Sequence, residues 1–185
     1  MPEQTEITND QLQDTEKKLN DFEKRVREQM EKAFWDLMRE DTNKTPPVFD
    51  RIIPVLEEIK EILKLIVPKS QEMKAKIDEI LDIPHIQIMF REGAMSFNAI
   101  LELTTNIASF LKLICAPAMD NEIDIFLSSI RPKFENCSDF VEFFQWYLPL
   151  LHLYMNSIEE ACRAIKVQSI TDNFNQSRSS QNSSS

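Results

Sequence analysis

Apolar side chains are dense and regularly spaced between residues 94 and 119, a stretch with only two charged residues, Glu102 and Lys112. They recur at the three- and four-residue spacing of one helix face, and more apolar groups lie on the other side, which is typical of a buried helix. Polar residues such as Asn106 argue against a membrane span, because buried polar groups are costly in lipid. We therefore predict a central core helix at about residues 96–115. The face predicted to be buried consists of Ile100, Leu101, Thr104, Ile107, Ala108, Leu111 and Ile114.

A long amphipathic helix is predicted upstream, at about residues 8–40. Apolar residues recur there every seven positions, at Leu12, Leu19, Val26 and Ala33. The apolar seam is thin until residues 33–38, where it widens, so we predict a projecting helix whose C-terminal end docks on the core. The heptads do not continue far enough for a long coiled coil. Residues 1–7 are predicted to be a flexible N-terminus.

Prolines and capping residues divide the remaining chain into shorter helices. Ser70, Ser96 and Asp120 are predicted N-caps, and Gly93 is a predicted left-handed C-cap. Pro132 is predicted to end the helix that contains it, because proline removes a backbone hydrogen bond. The predicted helices span about residues 48–67, 70–81, 84–92, 120–131 and 140–167.

The sequence lacks the features of β-sheet proteins, and this indicates the fold class. Strict alternation of apolar and polar residues is nowhere sustained, and the 185 residues include one glycine, whereas sheet proteins use glycines in turns and bulges. We predict an all-α protein, an irregular multi-helix bundle that forms a single helical domain over residues 8–167. Residues 168–185 are rich in Ser, Asn and Gln, which predicts a disordered tail.

Composition limits the partners and the location. The formal net charge is −10, which argues against nucleic-acid binding because that normally requires a basic surface. The polar first 30 residues show no secretory signal peptide. Three widely spaced cysteines are typical of reduced thiols. We expect a cytoplasmic protein with protein partners, no nucleic acid and no transmembrane segment.

No catalytic, cofactor-binding or metal-binding residue can be assigned from the sequence. One glycine excludes the glycine-rich loops that hold phosphates, and the three cysteines and two histidines never fall at ligand spacing. His85 could act as a general base, but a surface residue is the favoured interpretation. His152 is interpreted as a boundary histidine with a backbone partner. The chain is therefore predicted not to be an enzyme and to need no cofactor.

Two segments have the composition of interaction surfaces. The aromatic cluster at residues 140–147 is interpreted first as core packing and alternatively as an exposed patch for a partner. Residues 22–35 weakly resemble the target helices of calmodulin. Glu23, Glu28 and Glu31 dilute the positive charge that such helices need.

Several short motifs resemble the T-complex protein 11 family. They are Ala33-Phe34-Trp35-Asp36, Thr45-Pro46-Pro47-x-Phe49-Asp50 and the run from Leu113 through Cys115-Ala116-Pro117 to Asp120. The resemblance covers about residues 19–165 and is strongest up to Asp120. It implies an all-α intracellular protein without known catalytic residues, from a family associated with signal transduction, the cyclic-AMP pathway and sperm function.

The resemblance favours a non-enzymatic signalling or adaptor protein, linked to cyclic-AMP signalling and sperm function, in a cytoplasmic, sperm-associated location. The alternative is a structural protein of the cytoskeleton or flagellum that attaches through its long N-terminal helix. Both hypotheses rely on helical surfaces that bind other proteins.

The C-terminal helix carries the candidate partner surface. Family members usually continue in helices, whereas here a polar tail follows that cannot cover apolar side chains. We therefore expect an exposed apolar patch with a role in self-association or partner capture. Its residues step along one helical stripe: Phe144, Tyr147, Leu151, Tyr154 and Ile158.

Overall fold

The computed structural model describes the backbone of residues 9–45 and 47–182, and the side chains of residues 13–45 and 47–169. Over these residues the chain forms α-helices and no strand, which confirms the predicted all-α class. A 3₁₀ turn, Pro117–Met119, precedes the sixth helix. The helices are α1 (Asn9–Thr42), α2 (Ile52–Ile66), α3 (Gln71–Ile80), α4 (Ile83–Arg91), α5 (Phe97–Ile114), α6 (Asp120–Asn136) and α7 (Phe140–Asn182).

Helix α5 lies at the centre of the bundle and packs against α3, α6 and α7. Six of the seven residues on its predicted buried face are buried, and Ile114 is half-buried. Thr104 is a buried polar residue, and its hydroxyl donates a hydrogen bond to the Ile100 carbonyl at 2.9 Å. The prediction of a central core helix is confirmed.

Helix α7 is the second organising element, because it packs against α1, α2, α5 and α6. The Tyr147 ring stacks with Phe126 and Phe143 at centroid distances of 5.6 and 5.5 Å, and its hydroxyl donates to the Thr104 carbonyl at 2.7 Å. Core packing is therefore the correct interpretation of the aromatic cluster. The buried residues of α7 are Val141, Phe143, Phe144, Tyr147, Leu148, Leu151, Met155 and Ile158.

The prediction of an exposed apolar patch on the C-terminal helix is wrong. Phe144, Tyr147, Leu151 and Ile158 are at most 2% exposed, and Tyr154 is half-buried. The neighbouring helices α2, α5 and α6 already cover this face, so no further helices are needed to bury it. Self-association through this stripe would require the core to open.

Local sequence signals place most of the helix ends correctly. The Ser70 and Ser96 hydroxyls each accept a hydrogen bond from the backbone N–H three residues on, at 3.2 Å, as N-caps do. Gly93 has a φ of 66°, the left-handed conformation predicted for the C-cap after α4.

Two predicted helix boundaries are wrong because tertiary contacts override them. Asp120 is the first residue of α6 rather than its N-cap, and its side chain turns back toward α5. Pro132 lies inside α6, which continues to Asn136. The last turn is held by Phe134, which is buried between Phe97 and Phe143 at centroid distances of 4.2 and 4.6 Å.

A polar joint closes the turn between α5 and α6. Lys112 Nζ lies 3.0 Å from Asp120 Oδ1 and 2.8 Å from Asp124 Oδ2, and the Cys115 thiol donates to Asp120 Oδ1 at 3.3 Å. Hydrogen bonds from Lys112 and then Cys115 hold the pKa of Asp120 below its ordinary value of 3.8. Burial, followed by the bond to Asp120, raises the pKa of Cys115, so the thiol stays protonated and acts as a donor.

The flexible N-terminus predicted for residues 1–7 lies outside the described residues. The backbone of the last helix, α7, continues to Asn182, beyond its predicted end at about residue 167. The tail predicted for residues 168–185 starts where α7 has left the core, since Arg163 through Ser169 are all exposed. The side chains beyond Ser169 and the last three residues lie outside the described part.

Replacing Leu111 by alanine should destabilise the protein by about 2–5 kcal/mol, the range for a fully buried leucine that leaves a cavity. Leu113→Ala in the same helix is the matched control, because Leu113 is 54% exposed, and it should cost about 0.5 kcal/mol or less. Urea denaturation measures both values. Equal losses for the two variants would contradict a central position for α5.

Asp120→Asn should lower the urea midpoint at neutral pH, because the joint loses the negative charge that pairs with Lys112 and keeps only a neutral amide oxygen as acceptor. Since the pKa of Asp120 is lowered in the folded state, its stabilisation is present above 3.8 and is lost as the pH falls through the lowered value. The difference between variant and wild type should therefore shrink below that pH. Asp50→Asn, at an exposed carboxylate outside the joint, is the control, and a pH-independent gap for Asp120→Asn would contradict the mechanism.

Candidate interaction surface on the first helix

Helix α1 is attached to the bundle by its C-terminal end. Trp35 and Met38 are buried in the core, and the Phe34 ring meets Trp35 edge-on at 5.0 Å. Every residue from 13 to 33 is exposed, and at 1.5 Å per residue this segment is about 30 Å long. The prediction of a projecting helix with a docked end is confirmed.

The docked end is fastened by charged groups. The Asp41 carboxylate accepts from Lys44 Nζ at 2.5 Å and from Arg51 Nε at 2.6 Å, and its backbone carbonyl accepts from the Val48 N–H at 2.9 Å. The hydrogen bonds from Lys44 and then Arg51 lower the pKa of Asp41. The end of α1 is thereby tied to the loop before α2, which fixes the direction in which the rest of the helix projects.

The projecting part presents a line of uncovered apolar side chains, which we call the α1 stripe. Its members are separated by three, four or seven residues and therefore share one face of the helix. Trp35 follows Val26 by nine residues, or two and a half turns, so the stripe points away from the docked face. The exposed fractions are 55% for Leu19, 59% for Phe22, 37% for Val26, 69% for Met30 and 41% for Leu37.

A shallow groove runs along α1 beside this stripe. Its apolar lining comes from Phe22, Val26, Met30, Phe34 and Trp35, so the groove extends from the stripe to the docked end, and charged side chains of the same helix form its edges. Contiguous uncovered apolar surface of this kind is typical of sites where another helix or chain packs.

Opposite charges flank the α1 stripe. Glu16 and Glu23 lie nearest to the stripe on one side, followed by Arg27, whereas Lys18, Arg25 and Lys32 lie along the other side. Two of the basic residues pair within the helix, Lys18 with Asp14 at 2.6 Å and Lys32 with Asp36 at 2.7 Å. These pairs are exposed, so they contribute little stability and can exchange partners.

In the described part of the chain, no three His, Cys, Asp or Glu residues are placed to hold a metal ion. His85 is exposed, as the surface interpretation predicted. His152 is half-buried, with Nδ1 2.8 Å from the Leu148 carbonyl oxygen, which confirms the boundary interpretation. None of the described helices is long and apolar enough to cross a membrane.

The sequence contained the signal for the α1 stripe but did not identify it as a surface. Leu19 and Val26 belong to the predicted heptad pattern, and Phe22 and Met30 lie between its positions. The same periodicity marks buried faces, such as that of α7. Whether an apolar stripe is covered depends on where neighbouring helices lie, and that is a property of the tertiary structure.

Comparisons with known proteins agree with the resemblance. The T-complex protein 11 family model matches residues 4–153. The chain is 32% identical over 119 residues to the human T-complex protein 11 homolog and 30% identical over 124 residues to its rat counterpart. It is 30% identical over 135 residues to the human T-complex protein 11-like X-linked protein 1. No solved structure matches the chain.

These alignments cover most of this chain but little of the relatives. The shares for the three proteins are 64%, 66% and 72% of this chain, against 22%, 20% and 25% of the relative. The chain thus spans about a quarter or less of the length of these curated relatives. Since the family model covers well over half of the sequence, the chain belongs to the T-complex protein 11 family.

Proposed function

We propose that the protein is a non-enzymatic intracellular adaptor that acts in signal transduction by binding another protein through the α1 stripe. The observation that carries the proposal is the exposed apolar line at Leu19, Phe22, Val26 and Met30, on a helix whose docked end is held firmly. Leaving such a line uncovered is unfavourable in water, and a protein partner would remove that cost.

The pathway and cell type that we propose come from the family. Since the family is associated with cyclic-AMP signalling and sperm function, we place the protein in the cytoplasm of sperm or sperm-forming cells, on that pathway. The feature that supports a binding role is the projecting helix with its uncovered apolar side chains.

A structural role in the cytoskeleton or flagellum is the second candidate. One observation favours this structural role. About 30 Å of α1 extends beyond its docked end, which is long enough to attach the bundle to another protein. Both candidates use the same surface, and they differ in the identity of the proteins bound.

Proximity labelling in sperm-forming cells tests the proposal with Phe22→Glu and a matched control, Asn20→Glu. Both variants add one negative charge at an exposed position of the same helix, but only Phe22 belongs to the α1 stripe. We expect Phe22→Glu to reduce labelling of specific partners about tenfold or more, because a carboxylate would be buried in the contact. Asn20→Glu should label the same partners as the wild type.

The identity of the labelled proteins then separates the two candidates. Kinases, phosphodiesterases and other cyclic-AMP components support the signalling proposal, whereas axonemal or fibre proteins support the structural role. Equal labelling by wild type and Phe22→Glu would show that the α1 stripe is not the binding surface. Circular dichroism of both variants verifies that α1 remains helical.

A further inference from the structure

The charge of the projecting segment restricts what can cover the α1 stripe. Residues 14–32 contain six basic and six acidic side chains, so their net charge is zero. Strongly acidic helix-binding proteins and anionic membrane surfaces attract helices with a positive net charge. Neither class is favoured by this segment. A suitable partner must instead complement an acidic flank on one side of the stripe and a basic flank on the other.

A second copy of the same helix meets this requirement. The apolar positions of α1 follow a heptad, with Leu19, Val26 and Ala33 at one core position and Phe22 at the other. The residues that flank such a core are Lys18 and Arg25 on one side and Glu16 and Glu23 on the other. In a parallel pair, the flank with Lys18 and Arg25 on each helix lies beside the flank with Glu16 and Glu23 on the other.

We propose that the α1 stripe pairs with the α1 stripe of a second copy of this chain, with the two helices parallel and in register. This proposal rests on the proposed function and deepens it, because it identifies a second copy of the chain as a partner of the same surface. The paired stripes form one short apolar seam, and Lys18 of each copy lies beside Glu23 of the other. The adaptor is then a dimer.

The orientation follows from the flanking charges. In a parallel pair, Lys18 of each helix lies beside Glu23 of the other, so one such contact lies on each side of the seam. An antiparallel pair would bring basic flank to basic flank and acidic flank to acidic flank, which is repulsive. Electrostatics therefore favours the parallel arrangement and disfavours its reverse.

The docked end of α1 is compatible with this arrangement. In a parallel dimer the two helical bundles lie at the same end, where they would collide if the stripe faced the bundle. Trp35, which docks α1 on the bundle, points opposite to Val26 of the stripe. The bundles therefore lie on the outer sides of the helix pair and leave the seam free.

The pairing is expected to be weak and dependent on concentration. The exposed segment spans about three heptads, and Thr15 and Gln29 occupy facing positions that a stable coiled coil would fill with apolar residues. We expect a dimer with a Kd on the order of 10–100 µM. This is consistent with a sequence too short for a long coiled coil.

Sedimentation equilibrium of the full chain at rising concentration tests the pairing. The wild type should shift from monomer to dimer, Phe22→Glu should remain monomeric with unchanged helicity, and Asn20→Glu should dimerise as the wild type does. A wild type that is monomeric up to roughly 500 µM would overturn the proposal. So would a Phe22→Glu variant that dimerises normally.

Charge reversal tests the orientation. Lys18→Glu and Glu23→Lys should each raise the dimer Kd by about two- to tenfold, because each introduces two like-charge contacts per dimer. The double variant should restore the Kd toward the wild-type value, since the contacts are attractive again. Tighter dimerisation by Lys18→Glu would indicate an antiparallel pair and would overturn the parallel arrangement. Circular dichroism controls for the loss of the pair between Lys18 and Asp14.

The sedimentation and labelling experiments together separate self-pairing from the adaptor role. If the chain is monomeric in solution but Phe22→Glu still loses labelled partners in cells, self-pairing is wrong and the adaptor surface stands. If the chain dimerises through the stripe but Phe22→Glu keeps all partners, self-pairing stands and the adaptor role of the stripe is wrong.

Discussion

The packing of α7 against α5 is the contact on which the rest of the structure depends. Tyr147 is 1% exposed, stacks on two aromatic rings and donates its hydroxyl proton to the Thr104 carbonyl, so a polar group deep in the core is satisfied. Burial raises the pKa of this tyrosine well above its ordinary value, which keeps the hydroxyl a donor. With these two helices fixed, α2 and α6 have a continuous apolar surface to cover.

The packing of this core determines which apolar stripe is covered and which is exposed. The face of α7 is already covered, so the stripe from Phe144 to Ile158 cannot serve a partner. Helix α1 contributes Trp35 and Met38 to the core and packs Phe34 against it, while the apolar side chains of the α1 stripe are exposed. The uncovered apolar stripe therefore lies on the N-terminal helix and not on the C-terminal one.

The motif that most resembles the family has a structural explanation. Lys112, Cys115 and Asp120 form the joint that turns the chain from α5 into α6, and the thiol serves there as a protonated donor. Residues of this kind, placed together, could suggest a reactive cysteine. Their geometry indicates a helix connection, and the resemblance accordingly identifies a fold more than a reaction.

The sequence by itself determined the all-α class, the central helix, most of the caps and the projection of α1, because these depend on periodicity and on local backbone chemistry. Ser70, Ser96 and Gly93 act through neighbours a few residues away. The continuation of α6 past Pro132, the inward turn of Asp120 and the burial of Tyr147 depend on partners distant in the sequence. Only the tertiary structure could decide which of two similar apolar stripes is covered, because the same spacing produces a core face or an open surface according to what packs against it.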